Sequence, residues 1–584
     1  MIFLKNMVLS NKMSLQKLYA FIKIGFLLFF FHTTLYSFNA SDLRELEAKI
    51  LQIQKAEEFR INRDLYNITP KTKQIQRNLE FKKKEPKQDS KFCWNLKNID
   101  LDGITKVSKN EQFDIIKNYT NRCVKIHELD KLIDDITTLY INKGYISTKV
   151  YIKPNQNLQN DTLFLLILEG KIDTIVFVDS DKNESVNTKN IFPNMINNTL
   201  NIRDIEQGLE QINRLQSNSA IMQIQPSNII GNSILAIYNE NKQRVFSSLS
   251  LDNLGSQATG REQVGVSFAL DNPLNYNDNI GFIYRKTTPL YGQNSNHSIT
   301  LNYDIPYGYY TFSSGYSLSE YRTKIVLSQE TSIQSSGEVL SSFIKANEIL
   351  YRDQNSKVSM GANLSLKGTK NYLDKILLET SSPNLSTFTF NINYFYLFES
   401  GILTLDIAYT KGLELFGATK DKMNYDIQTP KAQFEKYNLN ASYMKGINFF
   451  NLSGLLSTSF SYQDTHDVLY GLEQISVGGF YSVRGYEGVS LTGDKGFNIK
   501  SDITIDNILS VPNLSFLVGY DFGKIYSHYD TIEGQLSGGA YGLKFSLYDI
   551  FIELTKVVPL NHSSHVDMNL NQGNYTYLSA SYSF

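Results

Sequence analysis

Few side chains in this sequence could do covalent or acid–base chemistry, and they are scattered. Cys93 and Cys123 are the two cysteines. In an exported chain an isolated pair about 30 residues apart reads as a disulfide; two unpaired core thiols are the alternative. No paired histidines stand at ligand spacing to them, so they do not make a zinc site. The 7 histidines are dispersed, and His562 and His565 read as solvated residues of a loop. Gly478-Gly479 is a turn element, because no helix follows it as a nucleotide fingerprint requires. No nucleophile–base pair, phosphate loop or metal cluster stands out. The expectation is a protein that is not an enzyme and uses no cofactor or metal. A net charge of -1 gives no bias toward nucleic acid.

The start of the chain reads as an export signal. The first 40 residues hold no Asp or Glu, and Lys5, Lys12, Lys17 and Lys23 precede the apolar run from Ile24 to Phe31. Small residues follow at Ser37 and Ala40. Basic start, short apolar middle and small-residue end are the layout of a secretory signal over 1–40. A membrane anchor is the alternative, but the run is too short to span a bilayer as a helix. Ser41-Asp42 then opens a stripe of Leu43, Leu46, Ile50 and Ile53, one amphipathic helix over 41–60. Residues 61–91 are polar and charged and read as a linker.

Two similar modules follow, each with the order strand, helices, strand, strand. In the first, over 92–170, the helix carries Leu129, Leu132, Ile133, Ile136 and Tyr140 on one stripe and ends at Gly144. Strands are expected over Tyr145–Ile152 and Thr162–Leu168. In the second, over 171–243, Ile202, Ile205, Leu209 and Ile212 form the helix stripe. Strands are expected over Ile172–Val178, Ala220–Gln225 and Ser233–Tyr238. Each module is large enough for a small α+β core.

From about residue 245 the helical period gives way to a period of two. Phe388, Phe390, Ile392, Tyr394 and Tyr396 oppose Thr387, Thr389, Asn391 and Asn393. Leu403, Leu405, Ile407 and Tyr409 oppose Thr404, Asp406 and Ala408. The composition suits strands: 37 Tyr and 35 Phe against 12 Pro and one Trp. A mean hydropathy of -0.27 argues against a helical membrane protein but not against a barrel, which needs one apolar face per strand. A soluble sandwich would alternate too. The end of the chain discriminates, because Leu578, Ala580, Tyr582 and Phe584 form an apolar strand ending on the last residue. Such an edge would aggregate in water, whereas closure removes it. At roughly 20 residues per strand and turn, residues 245–584 give a transmembrane antiparallel β-barrel of about 16 strands.

Two segments carry a resemblance. One runs from Cys93 through Ile175, with Cys123, the Leu129 helix, Gly144-Tyr145-Ile146-Ser147-Thr148 and Leu168-Glu169-Gly170. The other is Ile475-Ser476-Val477-Gly478-Gly479-Phe480-Tyr481-Ser482-Val483-Arg484-Gly485-Tyr486, followed by Gly493-Asp494-Lys495-Gly496. Leu200-Asn201-Ile202-Arg203-Asp204, Asp252-Asn253 and Thr259-Gly260 also fit. Together they resemble the outer-membrane transporters of two-partner secretion, the hemolysin secretion/activation protein family. That family shares the Omp85 superfamily with the barrel-assembly factors. The resemblance implies that 41–60 is a plug helix. It makes 92–170 and 171–243 two periplasmic polypeptide-transport-associated (POTRA) domains before the barrel.

The resemblance also implies a function and a site. The family's arginine lies on a long loop folded back into the barrel, at Arg484 here, within Val483, Arg484, Gly485 and Tyr486. It pairs with an acid in an aromatic-Asp-x-Gly strand, matched by Tyr520-Asp521-Phe522-Gly523. Alternation agrees: Phe516, Val518, Tyr520 and Phe522 share one face, so Asp521 points inward. A planar guanidinium suits a bidentate carboxylate. The glycine-rich loop is expected to have little core of its own. The implied activity is passage of one large unfolded exoprotein to the cell surface, without nucleotide and driven by cargo folding outside. That exoprotein would carry an N-terminal secretion domain. Recognition would be β-augmentation along Tyr145–Ile152, through Tyr145, Ser147, Lys149 and Tyr151. Outer-membrane lipid would surround the barrel, and the assembly machinery would meet Phe584 during biogenesis. A rival is a barrel-assembly factor of the same superfamily, which usually has more than two modules and lacks the cysteine pair and the first helix. A passive porin would not need the modules.

Overall fold

The computed structural model describes residues 93–584 apart from 155, 157–160, 179–185, 241, 290–293, 327–331, 423–425, 427, 450–451, 487–489, 527–533 and 564–574. The expected signal (1–40), plug helix (41–60) and linker (61–91) lie outside the described residues.

The first module builds a small sheet over two helices. The helix Lys109–Ile116 is closed by a capping box, in which Glu111 N–H donates to Ser108 Oγ and Ser108 N–H donates to Glu111 Oε2. The helix Ile126–Asn142 buries Leu129, Leu132, Ile136 and Tyr140, the stripe expected from their spacing. These meet Leu163, Leu165 and Ile167 of the strand Thr162–Leu168. That strand is central. Asn98–Asp102 pairs parallel on one side and Lys149–Ile152 antiparallel on the other, so among the described residues both flanking strands have a free edge. Cys93 and Cys123 form a disulfide, with Cα atoms 5.4 Å apart, between the paired strands Cys93–Leu96 and Arg122–Lys125.

The strand expected over Tyr145–Ile152 is shorter than its sequence suggests, starting at Lys149. The cause is the helix end. Gly144 takes the left-handed conformation (φ 91°), and Tyr145 N–H turns back to the Tyr140 carbonyl. The chain therefore passes through a turn closed by Thr148 N–H to the Tyr145 carbonyl. Tyr145 packs edge-on to Tyr140, and Ser147 lies against Gly170.

The second module repeats the plan, with the sheet order Lys171–Phe177, Asn232–Asn239, Ala220–Pro226 and the helix Ile202–Asn213 packed on it. The modules are joined through that helix's start. Asn201 caps it by accepting from Arg203 N–H and donates to the Lys143 carbonyl. Ile202 N–H donates to the Gly144 carbonyl.

Beyond residue 244 the chain forms a closed antiparallel barrel of 16 strands. Val245–Asp252 is the first and Tyr575–Ser583 the last. They close on each other from Ser579↔Asp252 to Ser583↔Ser248. Closure gives every strand two partners, which a lipid environment demands. The alternation sorts as expected. Phe388, Ile392, Val518, Tyr520, Tyr541 and Leu543 face outward and exposed, while Thr387, Asn391, Leu517 and Asp521 are buried inward. Among the described residues no helix is long and apolar enough to cross a membrane, which says nothing of strands.

The second module sits on one rim. Its helix residue Glu210 takes Arg352 Nη2 and Lys357 Nζ, both at 2.5 Å, from the barrel turn around 353–355. Tyr309 Oη donates to Asp204 Oδ1 at 2.6 Å and Gln207 Nε2 to the Gly308 carbonyl at 3.2 Å. Arg214 Nη2 donates to the Asn277 carbonyl at 2.6 Å. The long loop carrying Arg484 leaves from the opposite, far rim.

Candidate functional site

The site is made by a loop between the strands Leu452–Thr465 and Lys495–Ile505 that turns back inside the barrel. A short hairpin, Ile475–Val477 with Leu491–Gly493, forms its stem. Gly478 and Gly479 both have positive φ and reverse the chain. This presents Val483, Arg484, Gly485 and Tyr486 to the wall.

Arg484 is 1 % exposed and Asp521 0 %. The guanidinium grips the carboxylate with both ends: Nε to Oδ2 at 2.6 Å and Nη2 to Oδ1 at 2.7 Å. Arg484 N–H also donates to Asp521 Oδ2 at 3.0 Å, so the carboxylate holds the backbone as well as the side chain. Nη2 additionally reaches Asp502 Oδ1 at 2.5 Å on the neighbouring strand. One buried cation thus faces two carboxylates, and Lys500 lies on the same strand as Asp502, directly opposite Asp521 in register.

The wall is cut to receive the loop. At Gly519 a Cβ would collide with Arg484 Nη2 and Asp502 Oδ1, and at Gly538 with the Arg484 carbonyl oxygen. Gly485 has φ 96° and rests on the Val558–Pro559 backbone. There the ladder is bulged: Ser537 pairs with Asn561 and Gly538 with Pro559, leaving Leu560 out of register. Pro559, unable to donate in a ladder, is placed at this irregularity. The Tyr486 hydroxyl lies between the carbonyls of Ser537 (2.9 Å) and Asn561 (2.6 Å) and can donate to either.

The loop is better packed than its glycine content suggests. Val477, Val483 and Tyr486 form a buried cluster with Ile525 and Leu536 of the wall. Phe480 packs on Tyr577, ring centroids 4.9 Å apart, and its carbonyl accepts from Lys500 Nζ at 2.8 Å. The loop's buried core is thus one it shares with the wall rather than one of its own.

Sequence reasoning placed Arg484 and Asp521 together, and they are. It missed Asp502, Gly519, Gly538 and the bulge at Leu560. Asp502 was accessible by parity, because Ile503 on its strand is exposed to the outside. The glycine sockets leave no pattern in a single strand. His562, read as a loop residue, ends the strand Ile550–His562. Of the four residues considered for cargo, Lys149 and Tyr151 lie on the free edge strand, whereas Tyr145 and Ser147 are committed to the turn before it. Among the described residues no cluster of His, Cys, Asp and Glu could hold a metal.

With this geometry in place, comparison with known proteins identifies the fold's relatives. Residues 231–545 match the family model for the haemolysin secretion/activation proteins ShlB/FhaC/HecB. Residues 94–170 match a ShlB-type POTRA domain and 171–226 a POTRA domain. The hemolysin transporter protein HpmB of Proteus mirabilis is 28% identical over 79% of this chain and 80% of its own length. The outer membrane transporter CdiB of Dickeya dadantii is 27% identical over 77% and 80%. A solved structure of CdiB from Escherichia coli superposes with a TM-score of 0.83 at 25% identity, covering 94% of this chain and 100% of that one. Its relatives are outer-membrane transporters rather than enzymes, and its barrel follows two POTRA domains. The chain belongs to the haemolysin secretion/activation protein family.

Proposed function

We propose that this protein is an outer-membrane pore that recognises one large exoprotein in the periplasm and passes it, unfolded, to the cell surface. Its POTRA domains stand in the periplasm and its far rim faces outside. The observation that carries this reading is the lumenal lock. A loop crossing the inside of a closed barrel is locked to the wall at its tip by hydrogen bonds and ion pairs, through Arg484, Asp521 and Asp502, beside a small apolar cluster. Such contacts can be exchanged for a passing chain and remade afterwards, as a gate requires.

Recognition of the exoprotein's N-terminal secretion domain is by strand addition at the free edge Lys149–Ile152. Backbone pairing there gives affinity. Lys149 and Tyr151, with the exposed Phe164 and Leu166 of the next strand, supply the side-chain surface. The exoprotein is of the hemolysin or adhesin kind; the first is supported by the likeness to the hemolysin transporter HpmB. Outer-membrane lipid covers the outward aromatic and aliphatic side chains. Phe584, exposed beside the closing seam and paired through its backbone to Ser247, is the end the assembly machinery would meet.

The test is secretion. A large exported protein encoded beside this chain is expressed in a host with and without it, and the culture supernatant is assayed. The expected result is release that depends on this protein, with other outer-membrane proteins assembled normally in its absence. Absence of such a reading frame, or a general assembly defect on deletion, would overturn the reading in favour of an assembly factor.

A further inference from the structure

The lock at Arg484 holds only the tip of the loop. Its root is held elsewhere on the wall. The short helical turn Gly471–Glu473 begins the inward path from the far rim. Glu473 is 1 % exposed, and its carboxylate takes a lysine on each oxygen: Lys367 Nζ on Oε1 and Lys436 Nζ on Oε2, both at 2.6 Å. Lys436 also donates to the Glu473 carbonyl at 3.1 Å, and Gln463 Nε2 does so at 2.9 Å. Gln463 Nε2 further reaches the Asp494 carbonyl at 3.0 Å, tying the two ends of the loop together. Next to Glu473, Leu472 is buried among Val339, Leu385 and Ala432.

These partners lie on a different arc of the wall from those of Arg484. Val339, Lys367, Leu385, Lys436 and Gln463 sit on the strands Ser332–Arg352, Ser356–Leu373, Asn384–Leu397, Glu435–Phe449 and Leu452–Thr465. Asp502, Asp521 and the Tyr486 acceptors sit on the following strands, from Lys495–Ile505 to Ile550–His562. The segment between Glu473 and Arg484 therefore bridges from one arc to the other. A strap fixed at two ends does not clear a pore when one end is freed.

We propose that Glu473, with Lys367 and Lys436, is a second latch. It is a positioning residue that fixes the loop's root, so that opening the pore requires release at Glu473 as well as at Arg484. The inference rests on the pore reading above and extends it. Replacing the carboxylate by an amide leaves the buried Lys436 and the half-buried Lys367 ammonium groups without their anion, so the root should open even while the tip stays locked.

The experiment uses the full-length protein in cells and purified into planar lipid bilayers, with Ser476→Cys as reporter. Ser476 is 6 % exposed and lies between the two latches, and the change is nearly isosteric. Cys93 and Cys123 are already bonded and do not label. A membrane-impermeant maleimide should label the reporter at least about tenfold faster with Glu473→Gln, because local opening frees it. Lys367→Gln, a milder change, should give a smaller increase, and Arg484→Ala alone should leave the reporter protected. Bilayer conductance should rise more in Arg484→Ala with Glu473→Gln than in the two single variants together. Unheated gel mobility verifies the barrel in each case. The second latch is overturned if Glu473→Gln and Lys367→Gln both label like the parent. It is also overturned if Arg484→Ala alone exposes the reporter as fully as the double variant. If labelling follows the expected pattern but none of these variants alters secretion, the latch stands and the gate reading fails.

Discussion

At the scale of single residues, the account rests on one buried guanidinium between two carboxylates. A buried ion pair is weak evidence of net stability, but removing one partner leaves a charge uncompensated and costs about 3–5 kcal/mol. Arg484→Ala and Asp521→Ala should therefore each free the loop tip and lower secretion several-fold, while the barrel still assembles. In a double-mutant cycle on secretion or loop proteolysis the two should be strongly non-additive, since each already removes the contact. Fully additive defects would contradict the direct pair. Arg484→Lys should rescue only partly, because an ammonium cannot span Asp521 through both Nε and Nη2 and still reach Asp502. Tyr486→Phe should be milder, on the order of 1 kcal/mol for one neutral hydrogen bond, read as faster cleavage of the loop. The pair was legible in the sequence because alternation along Phe516 to Phe522 turns Asp521 inward and a motif supplies its partner. Glu473 was not: Lys367 and Lys436 lie on separate strands, 106 and 37 residues away in the chain, and only closure of the barrel brings them together.

At the scale of elements, the modules are held by different means. The first has a disulfide across a strand pair, its cysteines 30 positions apart in the chain. Constraint of the unfolded chain by a loop of that size is worth about 3 kcal/mol in the chain-entropy view. Replacing both cysteines by serine should lower the denaturant midpoint of that domain and leave the barrel's unchanged; labelling of two free thiols in native protein would contradict the bridge. The second module is held on the rim by Glu210. Burial pushes its carboxyl up, but Lys357 and Arg352 outweigh this and hold it at about 2. A depressed carboxyl contributes stability above its unfolded value, and this is lost as pH falls toward the folded one. Docking should thus be intact at neutral pH and weaken as pH falls from about 4.5 toward 2, followed by cross-linking of the second module to the turn around 353–355. Glu210→Gln should remove that pH dependence. The helix stripes of both modules were legible from their period. The strand after Gly144 was not placed correctly, because Tyr145 and Ser147 alternate like a strand yet are drawn into the helix's closing turn.

At the scale of the molecule, the barrel was the most legible part. Period-two alternation over about 340 residues and an apolar final strand fix both the architecture and the face that meets lipid. Alternation does not reveal what fills the lumen, because loop-to-wall contacts join residues far apart in sequence. The mature protein should fractionate with the outer membrane and migrate faster on gels unheated than boiled; recovery in a soluble fraction would contradict the barrel.

The central claim is that an exoprotein passes through the inside of this barrel, and a stalled substrate tests it most directly. The exoprotein would carry a fast-folding domain near its end, so that transport arrests midway, and single cysteines would be placed in the wall for cross-linking. Thr389 faces inward, bonded across the lumenal surface to Thr410, and Ser459 faces inward opposite Lys500 of the next strand, whereas Phe388 and Ile392 face outward. Thr389→Cys and Ser459→Cys should cross-link to the arrested chain, and Phe388→Cys and Ile392→Cys should not. Cross-links confined to the outward positions, or none at any wall position while the substrate remains arrested on the protein, would contradict passage through the lumen.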